Sequence, residues 1–143
     1  MTSLKHKIGG TPAVLGAYAL ALIFGGHGAV PMFMGIFWGV KAIFVSGGES
    51  VWIVSAIAGV PSIVYLLVLA SRRRAPSGSV RVRRMPLIGL YLSWLLPAVK
   101  AASDEAAGLI ASFPVEIIAS LPFQIAIAVA LYISLPTHSD AEQ

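Results

Sequence analysis

His27 and Glu116 are the ionisable side chains that fall inside the predicted membrane-spanning stretches of this chain. Such groups are costly enough in hydrocarbon to be functional candidates by default. A carboxylate at depth costs about 2.5–3.5 kcal/mol on insertion scales, so Glu116 needs a proton or a partner, and His27 is a natural one. Gln124 adds a polar group about two helical turns further along than Glu116. If His27, Glu116 and Gln124 face one cavity, the set suits a proton-coupled carrier or a cation site, and Tyr18, Tyr65, Ser55 and Ser93 could extend the polar path. Each residue also has a structural reading. Glu116 can be a first-turn acid favoured by a helix N-terminus, and His27, between Gly26 and Gly28, can bond a loosened backbone carbonyl. His27 and Glu116 can meet only if the first and fourth spans are neighbours.

Other chemistry is poorly supported. The glycine-rich stretch at 25–28 has no GK[ST] and no preceding strand signal, so it does not read as a phosphate cradle. A bis-histidine haem needs a second deep ligand, whereas His6 and His138 belong near one membrane surface. No serine carries a nucleophile-elbow signature. With no cysteine, thiolate zinc sites, iron-sulfur clusters and disulfides are excluded. No enzyme activity, metal or cofactor is expected.

The elements that must position these residues follow from composition. The chain is 57% hydrophobic and 11% charged, against roughly 25% charged in soluble domains, and its mean hydropathy is +0.86. At about 20 residues per crossing, 143 residues hold about four spans and no separate soluble domain. The expected fold is all-α: a four-transmembrane-helix bundle forming one membrane domain, with spans near 13–38, 51–70, 85–102 and 113–135. An Arg-rich loop at 71–84 joins two helical hairpins. Thr11 and Pro12 suit a helix start, but the apolar run from Ala13 to Ser46 would reach about 50 Å as one helix, beyond a core of about 30 Å. Residues 31–45 are therefore read either as the end of the first span with an interfacial piece, or as a re-entrant or surface helix. Pro61 predicts a packing kink in the second span, and Pro122 interrupts the fourth.

Six of the ten basic residues (Arg72, Arg73, Arg74, Arg81, Arg83 and Arg84) occupy the central loop. With Lys5 and Lys7 they put eight basic residues on one side of the membrane, against Lys41 and Lys100 on the other, so both termini are expected in the cytoplasm of a cytoplasmic (inner) membrane protein. The arginines are expected to meet anionic lipid headgroups. The net charge of +4 comes mainly from this loop and does not point to nucleic acid.

Small residues recur every fourth position at Ala13, Ala17, Ala21, Gly25 and Ala29, and again at Ser55 and Gly59, as helix-packing stripes do in lipid. The expected role is an accessory or assembly subunit, packing with itself as an oligomer or with a larger membrane complex. The alternative is a small proton-coupled transporter or channel using the His27 and Glu116 pair.

Overall fold

The computed structural model describes residues 2–25, 28–45, 48, 50–71, 80–105 and 108–133. It is mostly helical, with six helices and one two-stranded hairpin among these residues. In chain order they are α1 (Thr2–Leu20), β1 (Leu22–Gly25), β2 (Gly28–Pro31), α2 (Met32–Phe44), α3 (Ser50–Ser71), α4 (Val80–Asp104), α5 (Leu109–Ala119) and α6 (Leu121–Ile133).

Two helical segments, Ser50–Leu69 and Arg84–Asp104, are long and apolar enough to cross a membrane. Ile110–Ala119 and Leu121–Tyr132 make a third if the pair, bent by 75°, is one span. The bend has a local cause. Pro122 has no N–H, and its ring excludes the carbonyl of Ile118, so a helix arriving through α5 must restart at Leu121, where a proline in the first turn forfeits nothing.

The continuous helix expected over 13–38 is not formed. Helix α1 ends at Leu20, an antiparallel hairpin follows, and α2 begins at Met32. At 13 residues α2 is about 20 Å long, too short to cross on its own. Glycines at 25, 26 and 28 remove side chains from the stretch where helix would have to persist, and Pro31 cannot donate to the preceding turn. Gly28 has φ +96°, a conformation that favours glycine. Two further boundaries differ. Helix α1 passes through Pro12 instead of starting there, and α4 begins at Val80, so residues 80–84 are helical where a loop was expected. Arginine is a good helix former, and the breakers Pro76 and Gly78 lie before this point.

Helices α3 and α4 pack side by side as the central antiparallel pair, with α2 also against α3 and α5 against α4. The packing is backbone-close. A Cβ at Gly89 would lie 2.1 Å from Ser62 Oγ and 3.1 Å from the Ala58 carbonyl. On α2, a Cβ at Gly39 would lie 2.1 Å from the Trp52 carbonyl, and one at Gly35 would enter the Trp52 ring. Ile36 reaches Gly59, so α2 runs from the middle of α3 back to its N-terminal end. Helix α1 lies against α6 and α3, and β1 against α4 and α5. The core gathers around Trp94, fully buried, whose ring meets Tyr91, Phe113 and Phe123 at centroid distances of 5.7, 6.4 and 6.2 Å. Tyr18 meets Phe123 edge to face at 5.3 Å. Four helices, α1, α4, α5 and α6, thus share one aromatic centre.

Candidate functional site

The most unusual side chain in the bundle is Glu116, only 2% exposed on α5. Its partner is a backbone group: the Phe24 N–H donates to the carboxylate, 3.1 Å from Oε1 and 3.0 Å from Oε2. The strand register explains why that N–H is available. Opposite residues in an antiparallel pair alternate between mutually bonded and non-bonded positions. With Phe24 directed at Glu116, the Phe24–Ala29 pair is a non-bonded one, and so is Leu22–Pro31. Proline therefore sits where the ladder needs no donor. Consistently, the Met32 N–H donates to the Ala21 carbonyl at 2.9 Å, one step beyond Pro31, where a bonded pair is due. Glu116 covers the outer edge of β1, whose N–H would otherwise be an unsatisfied donor.

The polar contacts continue along the bend. Ser120, fully buried, donates through Oγ to the Glu116 carbonyl at 2.7 Å, and Gln124 Nε2 donates to Ser120 Oγ at 3.2 Å. Glu116, Ser120 and Gln124 therefore form one string at the junction of α5 and α6, with the carboxylate turned toward β1. Gln124 is joined to Glu116 only through Ser120 and the backbone. His27 lies in the interval between β1 and β2, outside the described residues.

A second buried polar cluster joins α1, α3 and α4. Ser93 Oγ donates to the Leu90 carbonyl at 2.8 Å, so the 2.6 Å contact with Tyr18 Oη has the tyrosine as donor. Ser55 Oγ donates to the Ser93 carbonyl. Beside them, a Cβ at Gly59 would lie 3.1 Å from Tyr18 Oη and 3.2 Å from Ser93 Oγ. Ser55 and Gly59 are thus at the crossing of α1, α3 and α4. In contrast, the stripe of Ala13, Ala17, Ala21, Gly25 and Ala29 is not one helical face, because α1 stops at Leu20. Ala13 and Ala29 are exposed, Ala17 packs on the core, Ala21 is buried at the helix end and Gly25 closes β1. Ser62 Oγ donates to the Ala58 carbonyl at 2.9 Å, one residue from the Ile57 carbonyl that Pro61 leaves without its helical donor.

Of the six loop arginines, Arg72, Arg73 and Arg74 lie outside the described residues, while Arg81, Arg83 and Arg84 belong to the first two turns of α4. No group of metal-ligating side chains occurs among the described residues. The glycine pair at 35 and 39 that seats α2 on Trp52 is a G-x-x-x-G spacing, and that signal was available in the sequence. The chain significantly matches no protein-family model, no curated protein and no solved structure.

Proposed function

We propose that the chain is an integral membrane protein of four crossings whose role is accessory or structural, packing with a second copy or with a larger membrane complex. In this reading α1, the hairpin and α2 together make the first crossing, α3 and α4 the next two, and the bent α5–α6 pair the last. Both termini and the arginine loop face the cytoplasm. The observation that carries the assembly role is the unequal treatment of the hairpin's two edges. Glu116 covers β1, whereas Gly28 and Ala29 of β2 are exposed, and the register directs the Ala29 N–H away from β1. Pro31 has no N–H, so this short edge offers a single outward donor, that of Ala29; among the described residues nothing accepts from it, and lipid supplies no acceptor. Beside it α2 presents Phe33, Phe37 and Phe44, which are 55%, 65% and 82% exposed.

The test uses the absence of native cysteine. Ala29→Cys is the only thiol in its variant, and in native membranes it is expected to crosslink into a larger species with a short bismaleimide. Ala13→Cys, exposed on α1, is the control. An Ala29→Cys variant that crosslinks no more than this control, and that migrates as a monomer in mild detergent, removes the assembly reading.

The carrier reading keeps one observation of its own. A carboxyl, a hydroxyl and an amide line up where a helix is broken, and discontinuous helices are where transporters hold coupling ions. In reconstituted vesicles Glu116→Gln then abolishes flux; flux retained by that variant eliminates this alternative.

A further inference from the structure

At the end of the bundle where α3 begins and α4 finishes, the hairpin, α2, α3 and α4 line a partly open cavity of about 550 Å³, within the range of small-molecule sites. Its two aromatic walls are Trp38 of α2 and Trp52 of α3, with ring centroids 6.3 Å apart and planes inclined at 82°. The two indoles meet edge to face, and the open face of Trp38, which is 41% exposed, carries negative quadrupole potential. The pair is held in place because Trp52 lies over Gly35, where no side chain intervenes. Ile23 and Val30 of the hairpin supply an apolar lining. Among the described residues, three charged ones line it: Lys100, Asp104 and Glu105. Lys100 is bonded to Asp104 one turn on, which leaves Glu105 as surplus negative charge. Its backbone is fixed by the turn in which the Gly108 N–H donates to its carbonyl at 2.9 Å.

From this lining we infer that the cavity is a binding site for a lipophilic organic cation, of the quaternary ammonium or phosphonium class. The apolar body lies against Ile23 and Val30, the cationic centre against the Trp38 face, and Glu105 supplies the opposite charge. A cation over indole gains about 0.5–2 kcal/mol, according to how far it is desolvated. An anion of the same shape meets the same apolar lining but is repelled by the Trp38 face and by Glu105. The inference goes beyond the assembly role and does not rest on it, since the cavity belongs to one chain.

Tetraphenylphosphonium and tetraphenylborate are matched in shape and opposite in charge, and they serve as the probes. Equilibrium dialysis against the chain in nanodiscs, with empty nanodiscs as the blank, reads the saturable excess for each ion. The expected result is one saturable phosphonium per chain and no saturable borate. Trp38→Leu and Glu105→Gln each weaken phosphonium binding about 3- to 10-fold, and Trp38→Phe retains most of it. Both positions are exposed, so the variants should keep the wild-type helical circular dichroism. Equal excess of the two ions, no excess of phosphonium, or saturable binding unchanged in both Trp38→Leu and Glu105→Gln overturns the assignment.

Discussion

Glu116 and Phe24 are 92 residues apart and meet through one side chain and one backbone N–H. Replacing Glu116 separates two functions of its carboxyl, charge and hydrogen-bond acceptance. Glu116→Gln keeps a carbonyl oxygen for the Phe24 N–H and should cost less than about 1 kcal/mol. Glu116→Ala leaves that donor buried without an acceptor and should cost about 1–3 kcal/mol. Thermal unfolding in detergent measures both, and hydrogen exchange at Phe24 should rise in the alanine variant alone. The sequence singled out Glu116 and Gln124 because side-chain type is visible in an apolar run. Their actual neighbours were not visible. Phe24 contributes a main-chain N–H, which every residue but proline carries, and Ser120 became a link only because Pro122 forces a bend beside it.

Among the elements, close approach of backbones decides which glycines matter. Gly39→Ala on α2 puts a methyl group 2.1 Å from the Trp52 carbonyl, which cannot move without moving α3. A loss of roughly 1–3 kcal/mol is expected, read as a lower unfolding temperature. Gly16 on α1 has nothing within 4 Å of such a methyl group, so Gly16→Ala should be neutral or stabilise by up to about 1 kcal/mol through helix propensity. The same contrast explains which elements were readable beforehand. The helices expected at 51–70 and 85–102 form as Ser50–Ser71 and Val80–Asp104, because a long apolar run bounded by polar residues has few alternatives. The first was misread as one helix because LIFG and GAVP are as apolar as helix and too short to show a strand period. What distinguishes them is the glycines at 25, 26 and 28 where they meet and the carboxylate brought to β1 from α5, and the second of these is a tertiary fact.

For the molecule as a whole, the balance of apolar and polar surface is the governing quantity. Large apolar side chains remain exposed on every helix from α2 to α6, among them Ile110 at 93%, Phe44 at 82% and Tyr132 at 75%. In water that surface would drive association, so the chain is expected to require detergent or lipid to remain dispersed. This property was legible from composition alone. The association of α1 with α6 and of β1 with α5 was not, since nothing in a linear sequence says which of several apolar segments become neighbours. The most direct test of the central claim, a bilayer around the bundle with the arginine loop inside the cell, is cysteine labelling in spheroplasts with a membrane-impermeant maleimide. The account predicts that Gly78→Cys is labelled only after permeabilisation, whereas Glu105→Cys is labelled in intact spheroplasts. Labelling of Gly78→Cys from outside, or recovery of the protein in the soluble fraction without detergent, contradicts it.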